Sequence, residues 1–197
     1  MEVIKKAFGD YQTNCYIVKI DEKEIIIDPG LGSSEWVKAN VKNPIAILNT
    51  HGHFDHVWCN QELKESLNVP IYIPKDDAFM LENDIFGLGM PHSKGDFLVD
   101  HDESLEIIGI KVTFHHFPGH TPGCSVIEID GVMFSGDFIF EGSIGRYDFP
   151  YSSSKDMKNS LLKLMRYQKD YVIYPGHGRA TSLKEEKLRF HYWINNI

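Results

Sequence analysis

In six residues, His51-Gly52-His53-Phe54-Asp55-His56, the chain places three imidazoles and one carboxylate, directly after the apolar run Pro44–Leu48 and its polar end Asn49-Thr50. Nothing else in the sequence constrains the fold as tightly. A short apolar run of this kind reads as an interior strand. The cluster therefore stands where a strand gives way to a loop, and sheet proteins collect functional side chains at such ends. A lone histidine there suits a turn that caps backbone groups; three with a carboxylate suit a metal.

Three further strand ends carry ligand types. Pro118-Gly119-His120 and Pro175-Gly176-His177 repeat one device, a rigid Pro-Gly turn that sets a histidine past a strand, and Asp137 ends the run Met133-Phe-Ser-Gly-Asp137. Neutral imidazole and carboxylate oxygen suit zinc, iron, manganese or nickel. Thiolates do not contribute: Cys15, Cys59 and Cys124 are odd in number, far apart and without a C-x-x-C pair, which describes neither a disulfide framework nor a thiolate zinc site. Spacing divides the ligands. His51 and His53, two apart in a nearly extended segment, lean to one side and grip one ion. Asp55 and His56 lie past Phe54, where the chain turns into a helix, and reach a second, with Gly52 keeping the turn open. His120 completes the first site and His177 the second, and Asp137 bridges them. Two cations about 3.5–4 Å apart hold a bridging water, bring its pKa toward about 7 and polarise a carbonyl. Such a centre, with Asp55 and Asp137 as its catalytic carboxylates, hydrolyses esters, thioesters, amides or phosphodiesters. It needs no serine or cysteine nucleophile, and the G-x-S-x-G elbow is absent. His92, His101, His115, His116 and His191 lack comparable settings and stand outside the site.

The rest of the chain bounds what this centre serves. At 197 residues, 42% hydrophobic and 24% charged, it has the size and composition of one globular domain. Twenty basic against 28 acidic residues give a net charge of −8 with no Lys/Arg-rich run, which argues against duplex nucleic acid. An anionic substrate would then need a metal or a placed arginine. Neither a signal core nor a membrane span is present in the sequence, and the cysteine usage fits a reducing cytosol.

Short β-rich runs open the chain, with Asp21–Glu24 expected as a four-residue hairpin loop and a helix capped by Ser33 or Ser34. A helix from His56 to Asn68 follows the cluster, then a strand over Val69–Pro74, and a short helix with a long loop over Lys75–Asp100. The second half repeats this grammar, with hairpins turning at Gly109 and at Asp130-Gly131, a Ser-capped amphipathic helix near Ser153 and a terminal helix. Strands and helices alternate with hairpins mixed in, which predicts a layered, mixed α/β fold.

On Asp28 after a strand, His51–His56, His120, Asp137 and His177, the chain resembles the metallo-β-lactamase superfamily over essentially its whole length. The resemblance implies an αβ/βα four-layer sandwich with metals at one edge, in a single domain spanning 1–197. "TNCYIV", "IIIDPG", "THGHFDH", "PGHTPG", "FSGDFIFEGSIGRYDFP" and "YPGHG" look like the short hydroxyacylglutathione hydrolases of glyoxalase II type. That implies two divalent ions, zinc before iron or manganese, and a small-molecule thioester such as S-lactoylglutathione. It also implies that Asp28 orients a ligand from behind. The long forms carry a C-terminal helical domain that this chain lacks. Lactamases commonly place cysteine or serine where Asp137 stands. The persulfide dioxygenases share "HTPGC" and a G-R-x-D-F segment but use one iron, and remain the alternative beside lactone or phosphodiester hydrolysis; a non-catalytic metal module is the least favoured. For an anionic thioester, Arg146 is the candidate cation and Tyr147 a candidate hydrogen-bonding neighbour.

Overall fold

A computed structural model describes residues 1–197. The first half builds β1 (Glu2–Phe8), β2 (Thr13–Ile20), β3 (Lys23–Ile27), α1 (Ser34–Asn40), β4 (Pro44–Leu48), α2 (Phe54–Val57), α3 (Asn60–Leu67) and β5 (Ile71–Pro74). A 3-10 turn (Lys75–Asp77), α4 (Ala78–Glu82) and β6 (Phe97–Val99) complete it. Its sheet runs in chain order, antiparallel from β1 to β3 and parallel from β3 to β6. The second half comprises β7 (Ser104–Ile107), β8 (Ile110–His116), β9 (Ser125–Ile129), β10 (Val132–Gly136), β11 (Ile139–Phe140), β12 (Ser143–Ile144), α5 (Ser154–Met165), β13 (Val172–Pro175), β14 (Thr181–Ser182) and α6 (Leu183–Asn196). Its main sheet has the order β14-β13-β10-β9-β8-β7.

Side-chain alternation along each strand decides the layers. In β3, Ile25 and Ile27 enter a core shared with Val112, Phe114 and Ile127 of the other sheet, whereas Ile26 faces Val37 and Leu63 of α1 and α3. Val126 and Met133 likewise turn outward onto Met157, Leu161 and Phe190 of α5 and α6. Strands buried on both faces need continuous apolar runs, which is why β3 and β4 read as they do. The result is the αβ/βα sandwich. No helix is long and apolar enough to cross a membrane.

Several expectations need correction. The β2–β3 hairpin loop has two residues, not four: Asp21 and Glu22 both take positive φ (47° and 62°), the type I′ geometry that matches strand twist. The helix after the cluster is broken, because the Cys59 amide donates to Pro29 O at 2.9 Å, and α3 begins only at Asn60. The expected loop before Asp100 contains β6 at its end. The β11–β12 hairpin, two residues a side, is too short for any periodicity to announce.

Candidate metal centre

Strand direction gathers the ligands. Ile27 lies opposite Leu48 in the parallel β3–β4 pair, so Asp28 and the Thr50–His56 loop leave the same edge. Strands β8 and β10 both run antiparallel to β9, and β10 is parallel to β13 with Gly136 beside Pro175. His120, Asp137 and His177 therefore emerge together at the facing edge. Backbone bonds stitch the two edges: Ser125 N–H to Thr50 O at 2.9 Å and Asn14 N–H to Gly176 O at 2.7 Å. Gly176 admits no side chain, since a Cβ there would overlap the Asp137 carboxylate and His56.

The seven predicted ligands meet. Ligand atoms of His51, His53 and His120 lie within 4.8 Å of one another, as do those of Asp55, His56 and His177. Asp137 stands between the sets, its Oδ2 3.5 Å from His120 Nε2 and 3.3 Å from His177 Nε2, its Oδ1 3.2 Å from His56 Nε2. Yet Nε2 of His51, His53, His56 and His120 and Oδ1 of Asp137 are buried without a hydrogen-bond partner. Buried polar atoms are normally satisfied. Two atoms each about 2.1 Å from a tetrahedral ion stand about 3.4 Å apart, so the spacing and the orphaned atoms both fit cations among them.

The opposite nitrogens show how the rings are aimed. His56 Nδ1 donates to Asp28 Oδ2 at 3.0 Å, His120 Nδ1 to Arg146 O at 2.7 Å, and His177 Nδ1 to Tyr11 O at 2.9 Å. Thr50 Oγ1 donates to Asp28 Oδ2 at 2.7 Å and so accepts from His51 Nδ1 at 3.0 Å. With Nδ1 protonated and engaged, each Nε2 lone pair points inward, the arrangement that raises ligand basicity. Asp28 thus supports two rings from behind, held in turn by the Thr50 amide at 2.8 Å. Asp55 Oδ2 accepts from Thr13 Oγ1 at 2.7 Å.

The two sets differ electrically. Burial drives His51 well below the usual imidazole range and His53 down to about 3, with His56, His53 and His120 adding repulsion; burial lowers His120 as well. Burial also disfavours charge on His56 and His177, but Asp55, Asp137 and Asp28 overcome it for the former, which rises well above its range. Asp137 and Asp55 raise His177 to about 9. The second set is the more electronegative half.

One residue was missed. Asp77, fully buried, accepts from Gly52 N–H at 2.9 Å, Thr121 Oγ1 at 2.6 Å and Gly123 N–H at 2.6 Å. It ties the loop of His51 and His53 to the loop of His120. In sequence, "KDDAF" shows only a helix start, so nothing there announced it.

A cavity of about 560 Å³ opens over His53, Asp55, His120, Asp137 and His177, walled by Tyr11, Phe54, Phe86, Leu88, Phe140, Ile144 and Phe149, with Arg146 at its side. Arg146 lines it as expected, but its guanidinium is forked to Asp148 (Nε–Oδ1 and Nη2–Oδ2, both 2.9 Å) and lies 4.1 Å over the Phe149 ring. Tyr147 turns away from the cavity and packs on the core beneath α5 and α6. The histidines set aside stay apart: His115 pairs with Glu128 at 2.8 Å, and His101 stacks on His116 beside Asp76.

Comparison with known proteins agrees with this geometry. The sequence profile described as the metallo-beta-lactamase superfamily matches residues 8–177. The chain is 36% identical to hydroxyacylglutathione hydrolase GloC of Haemophilus influenzae over 194 residues, 90% of this chain and 91% of that protein. Among solved structures, BLEG-1, a B3 metallo-beta-lactamase, superposes with a TM-score of 0.89 at 27% identity, covering 98% of this chain and 99% of that one. TTHA1623 in a di-iron-bound form does so at 0.79 and 32%, covering 93% and 96%.

Proposed function

This chain belongs to the metallo-beta-lactamase superfamily, and from that premise we propose that it is a two-metal hydrolase of thioesters. The observation that carries the reading is Asp137, one carboxylate with its oxygens 3.2–3.5 Å from histidines of both ligand sets. His51, His53 and His120 would hold one ion, Asp55, His56 and His177 the other, with Asp137 shared. Two divalent ions there, zinc before iron or manganese, would lower the pKa of water toward about 7 and polarise a carbonyl.

The residues of the chain do the rest. Asp28, Thr50 and the carbonyls of Tyr11 and Arg146 fix the rings, so that no ligand must be reoriented during turnover. Asp55 and Asp137 are the carboxylates on the cavity floor; Asp137 faces both ligand sets, and Asp55, whose Oδ2 is held by Thr13, takes on its other oxygen the proton that an attacking water loses. The water oxygen joins the acyl carbon, the carbon–sulfur bond breaks, and the thiolate leaves with its electron pair and collects the proton. Similarity to GloC supports a thioester over a phosphodiester, and the net charge of −8 disfavours a polyanionic substrate.

The test is elemental analysis of protein purified without added metal, paired with thioester assays before and after chelation. The expected result is about two transition-metal ions per chain and hydrolysis that chelation abolishes and metal restores. One tightly held iron with oxygen uptake on glutathione persulfide would instead establish the dioxygenase, and turnover of a β-lactam without thioester hydrolysis would establish a lactamase.

A further inference from the structure

The walls of the cavity carry information the ligand motif does not. Apart from the metal-facing groups, they are aromatic or aliphatic, and Arg146 is the only lysine or arginine among them. Its Nε–Nη2 edge is taken by Asp148. Arg179, two residues past His177, is closed in the same way by Glu141, with both bonds at 2.9 Å. Lys5 donates to Gly178 O at 2.7 Å. A thiol carrier bearing carboxylates would meet cations that already carry a partner, two of them with their charge offset by an acidic neighbour on one edge.

The apolar wall is built, not incidental. Residues 83–96 contain no helix or strand, yet their tip is latched. The Asp84 carboxylate accepts from the amides of Gly89 at 2.5 Å and Met90 at 3.3 Å, and Asp84 O accepts from Gly87 N–H at 3.1 Å. Gly87 and Gly89 take φ of +65° and +79°, which lets so short a turn close. The latch directs Phe86 edge-on to His53 (5.3 Å), Phe54 (5.5 Å) and Phe149 (6.0 Å), and sets Leu88, half exposed, on the cavity rim. Exposed apolar groups gathered around a reactive centre mark a ligand surface.

We propose that the Asp84–Met90 turn is the specificity element, and that the preferred substrates are thioesters whose acyl group is apolar, an aryl or medium-chain acyl, rather than a hydroxyacyl group on a carboxylate-rich thiol. The inference rests on the thioesterase reading above and narrows it. Phe86, Leu88, Phe54 and Phe149 receive the acyl group while its carbonyl sits over Asp55 and Asp137.

The experiment has two readouts on the metal-loaded protein. The first is kcat/KM for phenylacetyl, hexanoyl and acetyl thioesters of one neutral thiol, and for S-lactoylglutathione. The second is calorimetric binding of phenylacetate against acetate and lactate, which does not depend on turnover. The expected result is roughly a tenfold or greater preference for the apolar acyl groups in kcat/KM. Phenylacetate should bind most tightly. In Phe86→Ala and Leu88→Ala, with metal content checked, the phenylacetyl-to-acetyl ratio should fall about fivefold. Faster turnover of S-lactoylglutathione than of the apolar thioesters, or ratios unmoved by both variants, would overturn the proposal. Tight, variant-sensitive phenylacetate binding without hydrolysis of any thioester would keep the apolar pocket and overturn only the thioesterase reading.

Discussion

Asp77→Asn tests whether the two ligand loops are joined by a buried charge held against its preference. Burial pushes the Asp77 carboxyl up to about 6, even though Thr121, Gly123 and Gly52 hydrogen-bond it in the opposite sense. An unfolded aspartate titrates near about 3.9. The folded state therefore binds the proton more tightly, and the resulting stability is fully present below about pH 3.9 and lost as pH rises through about 6. Between about pH 5 and about pH 7.5 the linkage relation gives a loss of about 1.4 kcal/mol. Asparagine cannot titrate, so its stability lacks this slope. It also cannot serve the geometry. Two donors converge on Oδ2 and one on Oδ1, so an amide that keeps its oxygen at the Oδ2 position turns its NH₂ toward Gly123 N–H and leaves it unpaired, at about 1–3 kcal/mol. The assay is urea unfolding of both proteins with excess chelator, so that metal binding does not contribute. Wild type should exceed the variant by about 1–3 kcal/mol near pH 5, and the gap should shrink by about 1.4 kcal/mol near pH 7.5. A gap that stays constant or widens with pH would refute the reasoning, because the three donors would then outweigh burial.

Asp137→Ala removes the carboxylate that faces the inward Nε2 atoms of both ligand sets, so elemental analysis should find both ions depleted, and retention of two ions with near-normal turnover would remove the bridge. Gly176→Ala drives a methyl into the Asp137 carboxylate and His56; metal content should drop while the far-ultraviolet circular dichroism stays native. Arg146→Lys should change KM for S-lactoylglutathione less than about twofold, because Asp148 already occupies the fork. A rise of about tenfold would show that substrate reaches the guanidinium, at its open Nη1–Nη2 end or in place of Asp148.

The site was legible because its ligands sit next to elements that announce themselves. Apolar strands end abruptly at Asp28, His51, Asp137 and His177, and parallel pairing then brings those ends to one edge. What was not legible depends on long-range packing. Asp77 looks like any acidic residue at a helix start until Gly52 and Gly123, 25 and 46 residues away, point their amides at it. Arg146 was read as a candidate cation for an anionic substrate, with an ion pair to Asp148 or Glu141 as the alternative, and the sequence shows proximity to Asp148 without showing that the pair forms. For Tyr147 the sequence left substrate hydrogen bonding and packing equally open, and its ring packs on the core beneath α5 and α6. The two-residue turn at Asp21-Glu22 lacked the glycine or asparagine that usually reveals a positive φ.

Chemistry and selectivity are carried by different parts of this chain, and that explains why the motif names one and not the other. The floor of the cavity is made from strand ends, where Asp28, Asp55 and Asp137 surround His56 with three carboxylates. Against neutral imidazoles these sum to about −3, and each divalent ion held there would offset two of those charges. That count is fixed by residues the sheets cannot move without losing register. The walls, by contrast, come from segments between elements: Tyr11 in the β1–β2 turn, Phe86 and Leu88 in the Asp84–Met90 latch, Phe149 in the stretch after β12. Loops tolerate replacement far better than strand ends. On the proposed reading, a substitution there would alter which acyl group fits and leave the charge balance of the floor intact, so selectivity would follow Phe86 and Leu88 rather than His51–His56.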